Sequence, residues 1–325
     1  MKRRDYLKKL FVFIFLILIF LSSGCTAKDG MEKNEIRIAE QYGIAYAPIT
    51  IMKDQKILEK KIPNVHIVWD QMINTTAIRE AMIADKLDVG FMAIPPFFIG
   101  WDKGMDWKIA TGLSSVPNGL VTRTDITSLK DITSDVRIAL PQPGSVQHIL
   151  LSMASEREFN DPKKFDNLLV TLSHPDGMNA LLSGKEIKAH FTSTPYLQNE
   201  LKNKTFHQIL DGKESFGGDF SFIVGVTTNT FHDKNPELYE AFTASVSESI
   251  DFLNNKPEEA AVILARYYDI PEEEIFKYIT ADDTTYSAKV KGTKRFGDFM
   301  EKTGYISKSY ENIDEIMWEK EYYEE

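Results

Sequence analysis

Two stretches of this 325-residue chain carry side chains whose types and spacing suit the capture of a small polar molecule. In PQPGSVQHILL (141–151), Pro143 and Gly144 predict a turn, Ser145 an N-cap and Val146 onward a helix. A helix that starts this way at the end of a strand presents free N–H groups and the positive end of its dipole to an electronegative ligand atom. Gln147 and His148 stand in its first turn. In EQYGIAYAPITIMK (40–53), a strand gives way to a loop and a helix begins near Pro48, so that Tyr42 and Tyr46 stand at the same kind of strand end. By the same geometry Trp69 and the pair Ala93–Ile94 occupy the next two strand ends, where ligands of open α/β sheets bind.

Patterns of catalysis are missing from the sequence. It holds no G-x-S-x-G elbow, no GxxxxGK[ST] phosphate loop, no G-x-G-x-x-G and no H-E-x-x-H. Histidines 66, 148, 174, 190, 207 and 232 show no i, i+4 metal pairing. His148, His174 and His190 each lie near the end of a strand or in the loop after it, so a three-histidine metal site and three separate imidazoles both stay open. The expectation is a binder, with no catalytic residue, no metal and no cofactor.

The elements that must position these residues follow from periodicity. Strands are expected at 36–39, 65–69, 89–92, 109–113 and 119–123, then at 136–140, 168–172 and 187–191. Helical patterns at 75–86, 146–159 and 178–184 fall between them, and such alternation implies βαβ units and parallel sheets. After a strong strand at 220–227 the pattern is helical to the end. Leu238, Phe242, Val246, Ile250 and Leu253 form one apolar stripe, behind an Asn235 N-cap and an N1 proline at 236. Two βαβ series without a Pro- or Ser-rich linker predict an α/β chain of two lobes joined by ordered strands that cross near 120–124 and near 217–220. Lobe one is then 35–122 with 219–325, lobe two is 123–218, and the ligand cleft lies between them. Asp219, at the return crossing, reads equally as a cleft-facing or a buried hinge carboxylate.

The N-terminus and the composition narrow the setting. Residues 1–24 carry five basic side chains against one acidic, all within 1–9 and followed by the twelve-residue apolar run 10–21. That run is too short to span a bilayer, which needs about 20 residues, and fits a signal peptide. LSSGC resembles the lipobox of bacterial lipoproteins, which implies lipidation of Cys25 after cleavage at 24, with 25–34 as a polar tether. Cys25 is the only cysteine, which excludes a disulfide framework and cysteine-clustered metal sites. A net charge of −10 argues against nucleic-acid binding.

Taken in order, IRIAEQYG, DKLDVGFMAIPPFFIG, PQPGSVQHILL and HFTSTPYLQNEL resemble the solute-binding proteins of ABC importers, nearest those for nitrate, sulfonates, taurine and thiamin-pyrimidine precursors. The resemblance covers about residues 35–305. It implies a periplasmic-binding-protein fold of the second topological type, an extracytoplasmic and lipid-anchored location, and a membrane permease with its ATPase as partners. It also implies ligand contacts from Tyr42, Tyr46 and Trp69 in lobe one, with the backbone of Ala93 and Ile94. Ser145, Gln147, His148, Thr192 and Tyr196 would supply those of lobe two, with Asp219 at the crossing. No Lys or Arg falls at these strand ends, which points away from a doubly charged anion and toward a planar, partly aromatic solute. Two rivals are a thiamin-pyrimidine synthase-like enzyme on the same fold and a ligand-sensing ectodomain.

Overall fold

Val89–Ala93 (VGFMA) has all five residues buried, with no polar face, as a strand covered on both sides must. It is the third strand, β3, of a computed structural model that describes residues 34–325. The export segment, Cys25 and all but the last residue of the tether lie outside the described residues.

The first sheet runs β11-β4-β10-β3-β1-β2. Its strands are β1 (Glu35–Glu40), β2 (His66–Gln71), β3, β4 (Trp107–Ser115), β10 (Ile223–Thr228) and β11 (Thr285–Tyr286). β2, β1 and β3 are parallel, whereas β10 lies antiparallel between β3 and β4. The second sheet runs β7-β6-β8-β5-β9. It is built from β5 (Asn118–Arg123), β6 (Arg137–Leu140), β7 (Leu169–Thr171), β8 (Ile187–Ser193) and β9 (Phe206–Asp211). Helices fill the connections, as the alternating pattern requires. Among the described residues no helix is long and apolar enough to cross a membrane.

The first crossing comes earlier than the 120–124 expected. Residues 119–123 pair with β8 and β9, so this strand belongs to the second sheet and the chain changes sheets at 116–117. Pro117 is the reason: without an N–H it cannot extend the β4 ladder, and the chain leaves the first sheet there. The return, through the loop before Ile223, falls close to its expected place.

The helix Val146–Phe159 spans the expected residues, with Ser145 Oγ accepting from the His148 N–H. Helix Pro236–Asn255 buries the predicted stripe, though the Asn235 amide donates to the Phe231 carbonyl instead of capping with its oxygen. That stripe packs on helix Ala47–Gln55 behind the first sheet. Three expectations fail. The helix expected from 178 begins at His174, because Pro175 at N2 is tolerated in a first turn and Ser173 caps it. β9 was not foreseen, since its residues are mostly half-buried at a sheet edge and form no apolar run. After Ile279 the chain is not helical to the end: β11, helix Thr293–Lys302 and an irregular tail follow. The tail is rich in Glu and Tyr, and its Met317 bridges Ile109 of β4.

Candidate functional site

The carboxyl ends of β1 and β3 and the segment after β6 converge on one cleft between the two sheets. From the first sheet come Gln41, Tyr42, Tyr46, Thr75, Ala93 and Pro96, with Phe222 and Ile223 from the return segment. Pro141, Gln142, Ser145, Val146, Gln147 and His174 form the opposite wall. The space they enclose is about 30 Å³, close to one water molecule's share of liquid volume.

Each wall is held from behind. The loop after β1 is fixed by Gln41, whose amide donates to Thr75 Oγ1 (3.2 Å) and to the Phe91 carbonyl (3.3 Å). The phenol of Tyr268 donates to the Gly43 carbonyl (3.2 Å) and that of Tyr286 to the Ile44 carbonyl (3.0 Å). Two distant parts of the chain thereby set the position of Tyr42 and Tyr46. Burial raises the Tyr46 phenol well above its ordinary pKa, so this hydroxyl stays protonated and able to donate.

On the opposite wall, residues 142–145 form a β-turn with Gly144 at φ 80° and the Ser145 N–H donating to the Gln142 carbonyl (3.1 Å). Pro at i+1 and Gly at a positive φ at i+2 are the residues a type II turn demands. Gln147 extends its amide to Asn118 Oδ1 (3.2 Å) and toward His174 Nε2 (3.5 Å). His174 Nδ1 lies 3.1 Å from Thr192 Oγ1. Burial pushes the His174 imidazole down to about 3, with His190 nearby adding to the effect. It is therefore neutral at pH 7. Nε2 accepts from Gln147 and Nδ1–H donates to Thr192, the one tautomer that satisfies both contacts.

The cleft is polar without being cationic. No Lys or Arg lines it among the described residues, and Lys53, the nearest in the first lobe's loop–helix unit, is bound to buried Glu40. Positive potential comes instead from the starts of helices Thr75–Ile83, Val146–Phe159 and His174–Ser183. The helix beginning at Ile94 contributes less, because Pro95 and Pro96 remove two of its first N–H groups.

The structure places Tyr42, Tyr46, Ala93, Ser145 and Gln147 on the cleft surface. Thr192 and Tyr196 stand one layer back through His174: Thr192 by its hydrogen bond, Tyr196 by a ring stacked at 5.7 Å and 18°. Four expected contacts lie elsewhere. Trp69 is half-buried under the Lys53 ammonium, 4.8 Å from its ring, a cation–π contact behind the wall. Ile94, expected to offer its backbone, is not on the cleft surface and its side chain is buried in the core. The His148 ring turns out of the first turn, accepting from the Gly144 N–H (2.9 Å) and donating from Nε2 to Asp166 (2.9 Å), edge-on to Tyr305. Asp219 is exposed and paired with Lys213 at 2.7 Å, which holds its carboxyl below the usual range.

His174 and His190 converge, with rings 5.8 Å apart, while His148 does not join them. Among the described residues no group of three or more ligating side chains is placed to hold a metal ion. Sequence reasoning missed Gln41, Thr75, Gln142 and the cleft position of His174. Gln41 and Gln142 lie inside the two stretches singled out, one and two residues past the end of a strand, and that closeness was the available signal.

Two lobes, each a sheet flanked by helices, with a small polar cleft between them where the chain crosses twice, define the class of the periplasmic binding proteins. Residues 29–267 match the NMT1-like family, and the chain belongs to that family. Its structure is similar to the alkanesulfonate-binding protein SsuA from Xanthomonas axonopodis pv. citri bound to MOPS, with a TM-score of 0.74 at 16% identity over 89% of this chain and 99% of that one. The periplasmic nitrate-binding protein NrtA from Synechocystis PCC 6803 superposes with a TM-score of 0.72 at 14% identity, covering 88% of this chain and 86% of its own. The periplasmic aliphatic sulphonate binding protein SsuA from Escherichia coli gives 0.68 at 20% identity over 88% and 92%. No curated protein matches the sequence.

Proposed function

We propose that this chain is the extracytoplasmic solute-binding component of an ABC uptake system, anchored through a lipid on Cys25 and delivering its solute to a membrane permease with a cytoplasmic ATPase. The solute stabilises the closed state by touching both lobes at once, and that closed form is what the permease receives. The observation that carries the reading is the double origin of the cleft: Tyr46 and Thr75 face it from the first lobe, Gln147 and Ser145 from the second.

The lining decides the class of solute. A dianion closed in this cleft would meet hydroxyls, amides and helix N-termini but no counter-charge, and desolvating an uncompensated charge is costly. A neutral or singly charged planar molecule with hydrogen-bonding edges suits the aromatic and amide walls. Binding without turnover is part of the proposal. Steady conversion of any bound solute to product would instead favour the enzyme reading.

A thermal-shift screen of the protein against nitrate, alkanesulfonates, taurine, pyrimidines and flavins tests it. A specific solute at 100 times its Kd adds about 2.7 kcal/mol to stability. A panel in which nothing raises the melting temperature while an unrelated solute does would reassign the class. For the anchor, Cys25→Ser should release the protein from the membrane fraction or leave its leader uncleaved, and fully processed membrane attachment in that variant would contradict lipidation.

A further inference from the structure

The turn after β6 touches the opposite lobe twice. Gln142, itself buried, places Oε1 3.0 Å from the Thr76 backbone N and 3.0 Å from Thr76 Oγ1, both of which donate to it. Gly144 meets Ile99 of helix Ile94–Asp102 so closely that a Cβ added there would stand 2.4 Å from Ile99 Cδ1. Thr76 lies in the first turn of helix Thr75–Ile83, where N–H groups have no partner within the helix. One acceptor from lobe two therefore satisfies two donors of lobe one at a helix start.

We propose that Gln142 is a positioning residue that clasps the lobes: its amide oxygen accepts both Thr76 donors across the lobe boundary, and so holds the cleft closed. Several features support this. The oxygen accepts both donors at ordinary hydrogen-bond length, and the turn geometry fixes where the side chain starts. Gln142 lines the same small cleft as Gln147 and Tyr46. The clasp does not rest on the proposed function.

Hydrogen–deuterium exchange of the full chain in detergent, without any solute, tests the clasp. The reporter is the Ile44 amide, which reaches across the cleft to the Thr194 carbonyl (3.4 Å) from a different loop. In Gln142→Ala its exchange should accelerate at least tenfold while amides of β3 in the first sheet keep their protection. Gln142→Glu retains an acceptor of the same length and should keep Ile44 protected. Unchanged Ile44 exchange in the alanine variant overturns the proposal. So does equal acceleration in both variants, which would make Gln142 mere packing. If the alanine variant also loses β3 protection, the glutamate variant decides alone: wild-type protection supports the clasp, loss of it refutes the acceptor role. Failure of every solute to bind would leave these outcomes untouched and would count only against the proposed function.

Discussion

Glu200 and His190 meet with both side chains fully buried and 2.5 Å between Oε1 and Nδ1. Burial pushes the carboxyl up to about 9 and the imidazole down to about 3, so the pair is held in uncharged forms, a protonated carboxyl donating to a neutral ring. Relative to an ordinary 4.5, the raised carboxyl gives stability that is complete at low pH and is lost as pH climbs toward 9. His174 and His190 act with the opposite sign: their stability is complete above an ordinary 6.5 and is lost as pH falls toward 3. The melting temperature should therefore fall from pH 7 to pH 9, and Glu200→Gln should flatten that fall. A wild-type curve that stays level over this range would contradict the buried acid. Gly177 bears on the same ring, since a Cβ there would lie 2.4 Å from His190 Nε2. Gly177→Ala gains about 0.5–1 kcal/mol from helix propensity but costs about 1–3 kcal/mol in overpacking. Net loss of stability in denaturant melts is the expected outcome.

At the scale of elements, the turn 142–145 and the helix after it show how local chemistry builds a wall of the cleft. Ser145→Ala removes the side-chain acceptor of the His148 N–H, worth about 0.5–2 kcal/mol, or a drop of about 1–2 °C per kcal/mol in a chain of this length. Calorimetric melting checks it. The helix Val146–Phe159, its cap and the alternating strands were legible because each is dictated by residues close in sequence. What was not legible depends on residues far apart. Thr76 meets Gln142 across 66 positions, and no periodicity reports such a pair. His148 was misplaced because the start of a helix predicts its N–H groups, whereas the direction of a ring is set by Asp166 and Tyr305 from other elements. The early crossing at Pro117 carried a local signal, a residue unable to donate followed by Asn118 and Gly119.

At the scale of the molecule, two sheets share one large hydrophobic cluster that includes Ile38 and Phe91 of the first and Ile138 and Phe191 of the second, while a smaller cluster around Val121, Leu181 and Phe206 covers the far face of the second sheet. Continuity of the larger cluster favours lobes that approach as packed bodies, and the two crossings at 116–117 and before Ile223 are where backbone angles can change. The central claim is that one solute is held from both lobes at once. Isothermal titration calorimetry tests it most directly, comparing wild type with Tyr46→Phe in lobe one and Gln147→Ala in lobe two for the strongest solute of the thermal-shift panel. Leaving one buried polar group of the solute unpaired costs about 1–3 kcal/mol, and about 1.4 kcal/mol is tenfold in Kd. Each variant should then lose about five- to a hundredfold in affinity while keeping its unliganded fold. Full affinity in either variant would mean that the solute touches only one lobe, and would contradict binding by closure.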